Sequence, residues 1–212
     1  MAANPGGMLG SGDDQTLSVY RRRMSVSTPH RDLRLTKTIA LVGLMGAGKT
    51  AVGRRLAQRL GVEFADADAE IEKAANATIA EIFAESGEAF FRDREREVIK
   101  RLLANPPHVL ATGGGAFMDP STRALLRERA VTIWLRADLD LMLARVMRRN
   151  NRPLLNDGDP RVILERLMAQ RYPVYGEADI AVDSIDGPAE VTLERVWAAL
   201  APHLGVHAGV GP

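Results

Sequence analysis

A strand-length apolar run, Thr38-Ile39-Ala40-Leu41-Val42, breaks into Gly43-Leu44-Met45-Gly46-Ala47-Gly48-Lys49-Thr50 and resumes with helical spacing at Val52, Leu56 and Leu60. A strand, a glycine-rich turn and a helix in that order form the context in which backbone amides cradle phosphate. The glycines let the chain turn through conformations closed to other residues and bring successive N–H groups toward an anion, while the helix start adds the positive end of its dipole. Lys49 is expected on the β- and γ-phosphates and Thr50 on Mg²⁺ through its hydroxyl, with Gly46, Ala47, Gly48 and Ala51 as further nucleotide contacts. Lysine is otherwise scarce: the chain has only Lys37, Lys49, Lys73 and Lys100.

The rest of the chain alternates strand and helix signals. Gly61 stops the first helix, Val62-Glu63-Phe64 reads as a short second strand, and Thr78-Ile79-Ala80-Glu81 is a capping box opening a helix through Phe83. Glu88 to Leu103 reads as a longer amphipathic helix, and His108 to Ala111 as a third strand that delivers Thr112-Gly113-Gly114-Gly115. Asp119-Pro120 and Asp159-Pro160 each combine an N-cap aspartate with proline in the first turn; the second of these helices is expected to reach about Gln170. Val131 to Leu135 and Ile180 to Val182 supply two more strands, Leu139 to Arg149 a helix between them, and Pro188 opens a last helix ending near Leu200. Five short strands joined by helices predict a three-layer α/β/α fold around a five-stranded parallel sheet, because parallel strands need crossover connections. Ligands on such a sheet bind at the carboxyl ends of the strands, where Gly43–Thr50, Asp66/Asp68 and Gly113–Gly115 converge.

Composition narrows the function class. With 212 residues, 46% hydrophobic and 26% charged, the chain suits one domain with a sizeable core. A formal net charge of +1 provides no global field for nucleic acid or anionic membrane, so neither is expected as a partner. The chain has no cysteine, which excludes disulfides, thiol nucleophiles and Cys-based zinc sites. The four histidines show no metal-ligand spacing, and no apolar stretch approaches the ~20 residues of a membrane span. A cytoplasmic monomer is expected. Residues 1–36 read as a disordered extension, with a basic docking arm or a start at Met24 as alternatives, 37–200 as the domain, and 201–212 as a tail.

Three constellations carry the chemistry. Asp66 and Asp68 leave a strand end, where one could assist Mg²⁺ through water and the other accept a hydroxyl proton; either could instead cap the next helix. Phe91 to Glu97 is a mixed-charge helical run, mostly a solvated face, within which Arg92 can pair with Glu95 and present its fork to an anion. Arg145, Arg148, Arg149 and Arg152 lead into an aperiodic segment with the composition of a lid over about 148–160, or of a plain basic loop.

Together, Gly43–Thr50, Phe64-Ala65-Asp66-Ala67-Asp68, Gly87-Glu88 with Phe91-Arg92-Asp93-Arg94-Glu95, Thr112–Gly115, Arg152-Pro153-Leu154-Leu155 and Arg171-Tyr172-Pro173 resemble shikimate kinase. This is a P-loop kinase family of the nucleoside-monophosphate-kinase type, and the likeness covers about residues 37–200. The resemblance implies ATP-dependent phosphorylation of the 3-hydroxyl of shikimate, a step toward chorismate and the aromatic amino acids, with ATP and Mg²⁺ as cofactors. It implies catalytic roles for Lys49, Asp68 and Arg152, with Thr50 on Mg²⁺ and Asp66 behind it through water. Asp68, Arg92, Arg171 and Gly113, Gly114 and Gly115 would bind shikimate, with Phe83 and Phe91 beside its ring. Arg145 and Pro188 would sandwich adenine. Val146 stands where many relatives place threonine, and the N-terminal extension exceeds what the family core needs. A gluconate kinase of the same fold, or a non-catalytic nucleotide-binding relative, is the alternative.

Overall fold

The structure, a computed structural model, describes residues 35–148 and 158–205. Its centre is β1 (Thr38–Val42), a strand whose five residues are all buried. Beside it lie β3 (Val109–Ala111) on one edge and β4 (Ala130–Arg136) on the other, with Ile39 in register with both Val109 and Val131. The outer strands are β2 (Phe64–Asp66), paired with β3, and β5 (Ile180–Asp183), paired with β4. The order is β2-β3-β1-β4-β5 and every pairing is parallel. The expected five-stranded parallel sheet is therefore present. Because the chain leaves β1 toward one edge and returns to build the other, a crevice opens at the carboxyl ends of the strands beside β1.

Seven α-helices cover the sheet among the described residues. α1 (Lys49–Leu60) buries Val52, Leu56 and Leu60 and ends at Gly61, whose φ of 67° is the left-handed turn that glycine adopts without strain. Val62 donates its N–H to the carbonyl of Ala57, so it closes this helix rather than starting a strand. For that reason β2 begins at Phe64 and not at Val62 as the sequence suggested, and it runs on to Asp66.

α2 (Ala67–Ala75) follows β2 without a loop. α3 (Ile79–Leu102) opens on the predicted capping box, with Thr78 and Glu81 bonding reciprocally, and is broken at Gly87 (φ 78°, ψ 173°) into the two helical pieces the sequence indicated. α4 (Pro120–Arg129) and α5 (Leu139–Met147) flank β4 in the chain, both capped by aspartate. α6 (Pro160–Tyr175) starts at the predicted Asp159 cap but continues five residues past Gln170. Proline at 173 does not stop it, because Tyr175 is fully buried beside Phe117 and Trp134 and the N–H of Gly176 closes the last turn on Tyr172. Arg171 and Tyr172 thus belong to the helix rather than to a following loop. α7 (Ala189–Leu200) completes the layer, and a 3₁₀ turn over Ala201–Leu204 buries Ala201, so packed structure enters the segment expected to be a tail. The expected N-terminal extension lies almost wholly outside the described residues.

Gly43 ends β1 with φ 136°, and a Cβ there would lie 2.6 Å from the backbone oxygen of Leu135 at the end of β4. Neither the angle nor the neighbouring backbone can yield cheaply. Gly43→Ala is expected to cost about 2–4 kcal/mol of stability, measurable as a lowered urea midpoint with unchanged m-value.

Candidate active site

A cavity of about 910 Å³ lies at the carboxyl ends of the strands, lined from the phosphate-type loop at one end to α3 and α6 at the other. Its first wall is the Gly43–Thr50 loop. Gly46 and Gly48 have φ of 80° and 96°, while Ala47 between them and Leu44 before them are buried and anchor the loop in the core. Gly48 is the N-cap of α1, and no side chain caps that helix start. Lys49 Nζ donates to the carbonyls of Gly43 (2.8 Å) and Leu44 (3.0 Å), folding the cation back over the loop.

Thr50 Oγ1 donates to Asp66 Oδ2 at 2.8 Å, and Asp66 Oδ1 accepts the N–H of Asp68 at 3.2 Å. The capping reading of Asp66 holds: one oxygen caps α2, while the other accepts from the threonine hydroxyl. Two hard oxygen donors this close fit an Mg²⁺ that keeps most of its shell as phosphate and water. No group of three or more His, Cys, Asp or Glu suited to a metal ion occurs among the described residues. Asp68 sits in the first turn of α2 and faces the opposite wall.

That wall is built on Gly113, Gly114 and Gly115, and for the first and last of these the reason for glycine is room rather than conformation. A Cβ on Gly113 would collide with Glu95 Oε1 and lie 2.7 Å from Asp68 Oδ1; one on Gly115 would run into the Arg92 guanidinium. Arg171 Nη1 donates to the carbonyl of Gly114 at 3.0 Å. Arg92 is held by Glu95 (2.8 Å) and Glu88 (3.0 Å), the helical pairing anticipated for it. Phe83 and Phe91 meet with ring centroids 4.7 Å apart and both line the cavity. The other charges of α3, such as the exposed Arg94–Glu97 pair, form the solvated face.

Glu95 shows a role its sequence position only hinted at. It is 2% exposed and its Oε1 has no hydrogen-bond partner, although Arg92 holds the other oxygen. Burial raises its carboxyl above the ordinary range; Arg92 opposes this, Asp68 adds to it and Arg171 opposes it. Burial weakens the Arg92 guanidinium, but Glu95 and Glu88 together outweigh that and leave its pKa raised. Two further residues escaped the sequence reading. Tyr175 donates its hydroxyl to the carbonyl of Gly114, and Ser184 accepts from Arg145 at the end of β5. Their only sequence signals were position: Tyr175 one helical turn beyond Arg171, and Ser184 one residue past a strand end.

Arg145 reaches across from α5. It donates to Gly46 O (3.2 Å), Ser184 Oγ (2.9 Å) and Ile185 O (2.6 Å), and burial lowers its pKa against the opposing pull of Asp186 and Asp138. Gly187 and Ala189 line the same end of the cavity, while Pro188 between them is the N-cap of α7. Ala51 and Val146 also line the cavity. Arg152 and most of the lid expected over 148–160 fall outside the described residues; Arg148 at its start lines the cavity. No described helix is long and apolar enough to cross a membrane.

Known proteins match this chain over most of its length. The sequence model of the family described as shikimate kinase matches residues 45–201. A shikimate kinase of Paramagnetospirillum magneticum is 57% identical over 171 residues, covering 81% of this chain and 88% of the relative. One from Brucella suis is 46% identical over 194 residues, covering 92% and 95%. Among solved structures, shikimate kinase from Acinetobacter baumannii in complex with shikimate superposes with a TM-score of 0.78 at 40% identity, covering 84% of this chain and 98% of the other.

The Glu95 environment has a measurable sign. A carboxyl whose folded pKa is raised favours the folded state most below the ordinary glutamate value of about 4.3, and that contribution is lost as pH rises through the raised value. Urea midpoints of the wild-type chain and Glu95→Gln, taken from pH 4 to pH 7, should shift steadily in favour of the variant. A pH-independent difference would refute the inference.

Proposed function

The chain belongs to the shikimate kinase family and is a phosphotransferase that uses ATP as co-substrate; from that premise we propose that this cavity transfers the γ-phosphoryl group to the 3-hydroxyl of shikimate. The single observation that carries the assignment to these residues is the Gly113–Gly115 backbone, set between the guanidinium groups of Arg92 and Arg171 and the carboxylates of Asp68 and Glu95 in the cavity that also holds the phosphate loop. A small hydroxylated carboxylate needs guanidinium forks for its anion and a carboxylate for its hydroxyls, and both are offered here.

On this reading the loop amides and Lys49 hold the β- and γ-phosphates, the lysine exchanging the carbonyls of Gly43 and Leu44 for phosphate oxygens. Thr50 and, through water, Asp66 would hold Mg²⁺, which supplies neutralising charge between the phosphates when bound. Asp68 orients the acceptor hydroxyl and takes its proton as the oxygen attacks phosphorus, breaking the bond to the β-phosphate oxygen. Arg92 and Arg171 grip the carboxylate, and Phe83 and Phe91 close on the ring. Arg145 and Pro188 flank adenine. Arg152, in a lid over 148–160, would reach the phosphates; the basis for this is the Arg-Pro-Leu-Leu sequence itself. We take the catalytic domain to span 37–200 and the enzyme to work as a cytoplasmic monomer, as its composition and net charge of +1 suggest.

An assay coupling ADP release to NADH oxidation, run with shikimate, quinate and gluconate, should show turnover with shikimate; turnover with gluconate alone would overturn the reading. Arg171→Ala should weaken shikimate binding by about 2–5 kcal/mol, the loss typical of a truncated buried charge pair, and leave ATP binding nearly unchanged. Titration calorimetry with each ligand separates the two, and equal losses would make Arg171 structural.

A further inference from the structure

Two residues of α6, one helical turn apart, send donors to a single acceptor. Arg171 Nη1 and the hydroxyl of Tyr175 both bond the carbonyl of Gly114, whose two lone pairs can accept both. The tyrosine has no freedom to give way. It is fully buried, with Phe117, Trp134 and Tyr172 rings at centroid distances of 6.4, 6.0 and 6.3 Å. Burial pushes its hydroxyl up to about 12, against the opposing pull of Arg171, so it is a neutral donor throughout the working range.

Packing alone gives no reason for that hydroxyl. A phenylalanine would fill the same space without the cost of desolvating a polar group, which is recovered only through the bond to Gly114. Arg171 is the opposite kind of side chain, long and rich in rotamers, and it loses that conformational freedom when held still. A carbonyl fixed by a rigid phenol, which also bonds the guanidinium itself, gives this flexible side chain a constant anchor and leaves further donors for the ligand. Gly114 also lies against the phosphate loop, since a Cβ on it would be 3.7 Å from the amide nitrogen of Met45 and 3.8 Å from the carbonyl of Gly43.

We infer that Tyr175 is a positioning residue for the acceptor half of the site, acting through the Gly114 carbonyl to hold Arg171 in the pose that grips the acceptor carboxylate. It acts at one remove and touches neither substrate. This rests on the proposed role of Arg171, and the test separates the two.

Steady-state kinetics of Tyr175→Phe, Arg171→Lys and the double variant, with thermal melts of each, provide it. Tyr175→Phe should raise KM for shikimate about 5-fold, the loss of one hydrogen bond, with KM for ATP and kcat changed less than about 2-fold. Arg171→Lys should raise it further, and the double variant should be no worse than Arg171→Lys alone, because the tyrosine acts only through the arginine. Additive effects, or equal changes in both KM values, would overturn the inference. So would an unchanged shikimate KM in Tyr175→Phe while Arg171→Lys raises it, and so would failure of Tyr175→Phe to fold, which would make the hydroxyl purely structural. If Arg171→Lys itself leaves shikimate KM unchanged, the acceptor-site reading fails and the role of Tyr175 fails with it.

Discussion

Everything in the site is referenced to β1, a strand buried on both faces and flanked on both edges by parallel neighbours. A strand so enclosed cannot shift in register without exposing apolar side chains or breaking two ladders of hydrogen bonds. Its last residue therefore delivers Gly43 to one fixed place, against the carbonyl of Leu135, and the loop that follows inherits that precision. The same sheet carries the ends of β2 and β3, which present Asp66 and the glycine triplet to the loop. The site is assembled from strand ends, and its geometry is as rigid as the core beneath it.

The charges set into this frame hold one another in place on the wall opposite the phosphate loop. Glu95 is buried at a cost that Arg92 only partly offsets, and Asp68 lies close enough to add to that cost. The carboxylate nevertheless holds the guanidinium in place. A buried pair of this kind contributes little net stability but strongly restricts geometry, which is what recognition of a small polar ligand requires. Arg145 plays a comparable part at the other end, joining the phosphate loop through Gly46 to the Ser184–Ile185 segment after β5.

Much of this was legible from residues alone, and where it was not the reasons are tertiary. The parallel sheet, the capping box at Thr78, the aspartate-proline helix starts and the break at Gly87 follow from local chemistry. The start of β2 was misjudged because Val62 is taken by the cap of α1. The length of α6 was misjudged because the burial of Tyr175 outweighs a proline near its end. For the site, strand-end position was enough to select Asp66, Asp68 and Gly113–Gly115. It could not reveal that Asp66 performs two tasks with two oxygens, that Glu95 is buried rather than solvated, or that Tyr175 shares an acceptor with Arg171. Those facts depend on which helices meet, and no local pattern encodes them.

The break at Gly87 changes what α3 is. In an unbroken helix, two residues eight positions apart are separated by about 12 Å along the axis and by about 80° around it, too far and too divergent to form one surface. Phe83 and Phe91 are eight apart, yet their rings lie 4.7 Å from each other. A single left-handed glycine thus folds the helix back so that its two halves become facing jaws, each contributing one aromatic ring. Nothing lies within 4 Å of where a Cβ on Gly87 would stand, so backbone angle and not crowding creates this corner.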